Sequence, residues 1–279
     1  MKKILYKILL ALTIILSILI YSRFIGTTGL KTNEIPINTK SISNSYNGLK
    51  IVHFSDIHYK KVITNKRVKE LIKEINKLKP DIVVFAGDLL DKDYNPTKED
   101  IDFLIKELSQ IKSTYGNFAI AGDSDYKYKD SLKNIYLQSN FTFLDNSSSI
   151  IYNTNNDKIF IGGLSSYKYK DANIDKTMEK DKDTNYKIII THEPDYITEI
   201  LAKYQNIDLI LSAHSINGSI NIPLIKRIFL PPGSKKYYKP YYKINNTDIY
   251  ITNGIGVNNI NFRLFNHPSI NFYRIKRSN

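Results

Sequence analysis

Five apolar runs in this chain each end in an aspartate or a histidine. Residues 50–58 read KIVHFSDIH and close on Asp56 and His58, two positions apart. DIVVFAGD reaches Asp88, GNFAIAGD reaches Asp123, YKIIITH reaches His192 and IDLILSAH reaches His214. Carboxylate is a hard donor and imidazole a borderline one, a mixture that suits Zn, Mn or Fe better than Ca. Taken singly, an Asp or His just past a strand is most often a turn or surface residue. Supplied at all five run ends, the six side chains read as one metal site, because an open α/β sheet gathers its ligands in the crevice beyond the carboxyl ends of its strands.

The elements that must position them follow from periodicity. The runs at residues 51–54 and 117–121 read as short strands, and the run at 82–85 shows no polar alternation, as expected of a strand buried on both faces. Between them, Val68, Leu71, Ile72, Ile75 and Leu78 fall on one helical face stopped by Pro80. Ile101, Leu104, Ile105, Leu108 and Ile111 form a second such face, with Thr97 placed to cap it. Strand-helix-strand-helix-strand order predicts a parallel sheet with right-handed crossovers. Short strands are expected at 141–144, 149–152 and 158–162, and a polar surface excursion at 171–183. Buried strands are expected at 187–191 and 208–212 around a helix over 194–204. From residue 220 the pattern turns to β, with a hairpin expected through 237–243 and strands at 248–252 and 269–275.

The absence of cysteine excludes disulfides, thiolate metal sites and a Cys nucleophile. A hydrophobic content of 42% over 279 residues supports a real core. The formal net charge of +13 favours anionic partners without naming them. Residues 8–21 are apolar except for Thr13 and Ser17, and MKK precedes them. With no small-x-small cleavage site before Arg23, an uncleaved signal anchor over residues 1–23 is preferred to a cleaved signal peptide. The positive-inside rule then leaves Lys2, Lys3 and Lys7 in the cytoplasm and the rest outside it, in the cell membrane as a single-pass protein. The expected partner is therefore an anionic membrane surface rather than nucleic acid. Residues 24–48 read as a polar linker with an edge strand around 34–40, and residues 49–279 as the globular domain.

In order and rough spacing, SDIH, GDLLD, the GD of AGDSD, THEPD and the SAH of SAHSINGS resemble the motifs of the calcineurin-like metallophosphoesterases, in particular a membrane-anchored bacterial branch. The resemblance implies an α/β fold of four layers, α/β/β/α, in which two mixed β-sheets are flanked by helices. It also implies divalent metals (Mn, Zn or Fe) and attack on a phosphoester by a metal-bound hydroxide. Carried over residue by residue, Asp56, His58 and Asp88 hold the first metal, and Asp88, Asp123, His192 and His214 the second, with Asp88 bridging. The implied substrate is an envelope or lipid-linked phosphoester.

Three positions depart from that pattern. Asp123 stands where the family has an amide ligand. Ser124 stands where it has the histidine that protonates the leaving group or stabilises the transition state, and Ile216 where it has the last ligand of the first metal. One tight and one weak metal site are therefore expected. The alternatives are a degenerate member that binds one metal or a phosphate with little or no catalysis, and a basic membrane-surface scaffold. Of the remaining groups, Asp91 reads as a group behind the ligands or a helix cap, Asp125 as a turn residue or substitute acid, His53 as a core residue and His267 as a surface one. The stretch KKYYKPYYK, residues 235–243, reads as a basic hairpin.

Overall fold

The computed structural model describes residues 2–181, 184–216, 218–222, 230–257 and 260–278. Two six-stranded mixed sheets make up the centre. The first has the order β1-β12-β2-β3-β4-β5, where β1 is Lys31–Thr39, β2 Leu49–Phe54, β3 Ile82–Phe85, β4 Gly116–Ala119, β5 Phe141–Phe143 and β12 Ser269–Arg277. The second has the order β10-β11-β9-β8-β7-β6, where β6 is Ser147–Tyr152, β7 Lys158–Gly163, β8 Tyr186–Thr191, β9 Leu209–Ser212, β10 Tyr241–Ile244 and β11 Thr247–Ile251. Strands β2 to β5 run parallel, as do β7, β8, β9 and β11.

Alternation along each strand divides the apolar residues among three layers. Ile51, Ile82, Val84 and Phe118 face Ile161, Ile188, Ile190 and Leu211 between the sheets. Val52, Phe54, Val83 and Phe85 face outward onto α2 (Asn65–Lys77), α3 (Lys98–Leu108) and α4 (Lys129–Gln138). Phe160, Ile189, Ile210 and Ile249 face outward on the other side, onto α5 (Ile174–Met178) and α6 (Ile197–Lys203). The four-layer α/β/β/α arrangement follows from that division.

Local chemistry sets the ends. Thr97 Oγ1 accepts from Asp100 N, and Asp100 Oδ2 accepts from Thr97 N, a complete capping box on α3. The excursion at 171–183 is not wholly polar surface: Ile174, Thr177 and Met178 are buried on α5, whose cap is Asn173. The helix expected over 194–204 begins as a 3-10 turn, Pro194–Tyr196. The hairpin is displaced from 237–243 to β10 and β11, because Asp195 Oδ1 and Oδ2 bind the backbone N–H groups of Lys235, Lys236 and Tyr237 and hold that stretch as a loop. The expected β pattern over 223–229 lies outside the described residues.

α1 (Lys2–Ile20) is exposed throughout and apolar after the lysines of its first two turns, and with the π-helical turn Tyr21–Ile25 it is long and apolar enough to cross a membrane. The segment after it packs against the domain. β1 adds to the edge of the first sheet in parallel with β12, and Ile37, Ile42 and Tyr46 are buried in the layer between the sheets. Pro36 sits in this edge strand, where its missing N–H leaves no gap in an interior ladder.

Candidate metal centre

All six predicted ligands converge. β2, β3 and β4 of the first sheet and β8 and β9 of the second deliver them from their carboxyl ends, so the site lies on the seam between the sheets. Their donor atoms form two groups, Asp56 with His58 and Asp88, and Asp88 with Asp123, His192 and His214, each within 4.8 Å. Asp88 Oδ2 belongs to both: it lies 3.4 Å from His58 Nε2 and 3.3 Å from His192 Nε2. Asp123 Oδ1 lies 3.5 Å from His192 Nε2 and 3.0 Å from His214 Nδ1.

Each imidazole is oriented through its other nitrogen. His58 Nδ1 faces Asp91 Oδ2 at 3.3 Å, His192 Nδ1 bonds Ala86 O at 2.7 Å, and His214 Nε2 bonds Pro232 O at 2.7 Å. Such partners fix the tautomer and present the remaining nitrogen as a donor. Asp91 thus serves a ligand from behind. Asp88 is fixed in turn by Ser124 N, which donates to its Oδ1 at 2.9 Å.

The backbone is strained at the same place. Asp56, His58, Asp88, His214 and Ile216 all have positive φ, which for side-chain-bearing residues is stored strain held by the surrounding fold. The glycine of each G-D pair has a steric reason. A Cβ on Gly122 would stand 2.0 Å from Asp88 Oδ1, and one on Gly87 2.6 Å from Gly122 N, so the two loops cross backbone to backbone.

Asp56 Oδ1, His58 Nε2, Asp88 Oδ2, Asp123 Oδ1, His192 Nε2 and His214 Nδ1 are all buried without a hydrogen-bond partner. Unpaired buried polar atoms are costly and rare, and six of them aimed at one seam fit divalent cations. Burial opposes charge on His58, His192 and His214, yet the neighbouring carboxylates raise all three above the usual imidazole range. A cation there would take the place of those protons.

Two residues beside the site, Lys168 and Glu193, are not singled out by the sequence. Lys168 reaches in from the β7–α5 loop and places Nζ 2.5 Å from Asp123 Oδ2. Glu193, beside His192, holds that loop by accepting from Ser166 Oγ at 2.5 Å and from the N–H groups of Tyr167 and Lys168 at 3.2 Å. Asp125 lies in a turn, as expected, and is fully buried there. It accepts from Leu89 N, Leu90 N and Gly122 N, bracing the loops of Asp88 and Asp123, while burial and Asp88 push its carboxyl up to about 7. Ser124 and Ile216 are buried.

The family model for calcineurin-like phosphoesterases matches residues 49–218. The chain belongs to the calcineurin-like phosphoesterase family. Its relatives include the metallophosphoesterases YkuE and YkoQ of Bacillus subtilis. YkuE is 29% identical over 93% of this chain and 90% of its own length, and YkoQ 27% identical over 97% and 100%. A zebrafish transmembrane protein with a metallophosphoesterase domain is 24% identical over 96% of this chain and 62% of its own. Among solved structures, the calcineurin-like phosphoesterase YfkN of Bacillus subtilis aligns over 74% of this chain and 81% of its own at 16% identity, with a TM-score of 0.45. The family binds divalent metals and hydrolyses phosphoesters, and the two Asp/His groups are where this member could hold them.

Proposed function

We propose that this protein is a membrane-anchored phosphoesterase whose domain stands outside the cytoplasm and acts on an envelope or lipid-linked phosphoester. The observation that carries the hydrolase reading is the set of six orphaned ligand atoms with Asp88 Oδ2 common to both groups. In this reading Asp56, His58 and Asp88 hold one divalent ion, and Asp88, Asp123, His192 and His214 the other. Metal at such a pair of sites supplies Lewis acidity toward the phosphoryl oxygens and makes water a usable nucleophile at neutral pH.

The chain's own residues do the rest. Asp91, Ala86 O and Pro232 O keep the imidazoles aimed, Ser124 N keeps Asp88 aimed, and Lys168 adds a cation at the mouth of the site. Ile216 offers no donor, so the three-residue group binds its metal more weakly than the four-residue group. With serine at position 124, leaving groups that depart without a proton are favoured. Those same two residues favour one alternative, a member that binds metal or phosphate with little turnover. The membrane reading is supported by α1 and by Phe24, Ile25 and Phe265, all strongly exposed where α1 meets the domain.

Two measurements test this reading. A C-terminal reporter fusion is expected to be active only outside the cytoplasm, and cytoplasmic reporter signal refutes the topology. Full-length chain in liposomes with Mn²⁺ is expected to release product from a lipid-linked phosphoester faster than from a soluble sugar phosphate. Hydrolysis confined to the soluble compound refutes the substrate class.

A further inference from the structure

A cavity of about 620 Å³ lies away from the metal ligands, between the turn that leaves α1 (Arg23, Phe24, Thr27, Thr28) and residues 60–67. Among the described residues its lining contains five cationic side chains, Arg23, Lys60, Lys61, Lys66 and Arg67, and no carboxylate. Three of the five are offset by acids behind the wall: Lys60 by Asp100 at 3.3 Å, Lys61 by Asp91 at 3.1 Å and Lys66 weakly by Glu70 at 3.9 Å. Among the described residues neither guanidinium group forms an ion pair with an acid, although the charge of Glu70 acts on Arg67 through space. Arg67 donates to the carbonyls of Val62 and Thr27, and among the described residues Arg23 forms no ion pair, its guanidinium lying over the ring of Phe24 at 5.3 Å. The cavity therefore has a surplus of positive charge, and the polar groups of Thr27, Thr28, Thr64 and Asn65 line it as well.

Its position points to the kind of anion. One wall is the last turn of the apolar helix, three residues past Ile20, and the neighbouring surface is apolar: Phe24 is 65% exposed, Ile25 56% and Phe265 71%. Leu264 and Phe265 line a second cavity with Ile14, Ile18 and Tyr21, so the domain descends beside the helix by about one to two turns. With α1 in a bilayer, Phe265 lies at the depth of the acyl chains and Arg23 at the depth of the head groups, where cations meet lipid phosphate.

We propose that this cavity binds the phosphate head group of an anionic glycerophospholipid. The proposal rests on the membrane-anchored reading above but not on hydrolysis. The cavity is tied to the metal centre through one carboxylate, since Asp91 Oδ2 is shared by Lys61 Nζ at 3.1 Å and His58 Nδ1 at 3.3 Å. A lipid held there is held beside the group that orients a metal ligand.

The test uses the full-length chain in nanodiscs of mixed phosphatidylcholine and phosphatidylglycerol, with chelator present so that phosphate at the metal centre does not contribute. Lipids retained on release are counted by native mass spectrometry. One phosphatidylglycerol per chain is expected in preference to phosphatidylcholine. Arg23→Gln and Lys66→Gln are each expected to weaken retention by about fivefold, the usual worth of one basic residue at an anionic surface. Equal retention of the two lipids, or retention unchanged in both variants, overturns the proposal. Displacement by millimolar inorganic phosphate assigns the cavity to a free anion and overturns the lipid assignment. A chain that retains the lipid but never hydrolyses a phosphoester once metal is restored contradicts the hydrolase reading and leaves the head-group site standing.

Discussion

Lys168 Nζ lies 2.5 Å from Asp123 Oδ2, the carboxylate that stands where the family resemblance implies a neutral amide. The side chain of Asp123 is 8% exposed and that of Lys168 44%, so the lysine closes the ion pair from the solvent side. The pair returns the local charge to what a neutral amide would give. It also leaves Asp123 Oδ1 as the atom facing His192 and His214. Glu193 makes the arrangement specific by holding the backbone of Tyr167 and Lys168 in place.

The pair should therefore behave as a unit. Lys168→Met is expected to lower kcat/KM on an aryl phosphodiester by about tenfold or more, the usual effect of removing a partner behind a metal ligand. In an Asp123→Asn background the same change should cost much less. A double-mutant cycle measures the difference, and strictly additive losses would show that the two residues act separately.

Ile216 has φ of 47° and is buried, an unfavourable conformation for a β-branched residue and a more tolerable one for histidine. Ile216→His is therefore expected to fold and to raise the metal retained after dialysis from about one equivalent toward two. Adding Ser124→His should raise aryl phosphodiester hydrolysis by about 10²-fold, the worth of a positioned proton donor. Elemental analysis and initial rates check both. Two tight equivalents in the parent would contradict the weak-site assignment.

His53 is fully buried beside Tyr273, with Nδ1 3.1 Å from the phenol oxygen, and burial lowers its pKa from 6.5 to about 3. Below pH 6.5 the unfolded chain takes up a proton that the folded chain refuses. The stability this group contributes is thus present above pH 6.5 and lost as pH falls toward 3. Between pH 7 and pH 5, His53→Phe should gain about 2 kcal/mol of unfolding free energy relative to the parent, from about 1.4 kcal/mol per unit of pKa shift. Urea unfolding of both chains at the two pH values, with chelator present, provides the comparison. A constant difference would mean that His53 titrates alike in both states.

The ligand strands were legible because burial on both faces removes alternation, and because each run ends in a residue type that a buried loop does not otherwise favour. The helix α4 was not legible: Leu132, Ile135 and Tyr136 are its only buried residues, too few to establish a period, and its first residue follows a 3-10 turn instead of a capping side chain. The segment before β2 read as a polar linker with an edge strand around 34–40, and β1 is that strand; its parallel partner β12 was not legible because it lies more than 200 residues away. Lys168 was hidden for the same reason. Its partner Asp123 is 45 residues away, and nothing in SSYKYKD distinguishes it from the neighbouring lysine. Arg263 is fully buried against the carbonyls of Asn253, Gly254 and Gly256 and accordingly has its pKa lowered to about 9, a role that no spacing rule anticipates.

Hydrolysis is expected to depend on the carboxylate of Asp88, which is common to both ligand groups. Full-length chain stripped by chelator should be inactive on an aryl phosphodiester and regain activity when Mn²⁺ is added back, whereas Asp88→Ala treated in the same way should stay at background. Equal rates for the two proteins, or hydrolysis that survives the chelator, would contradict the account.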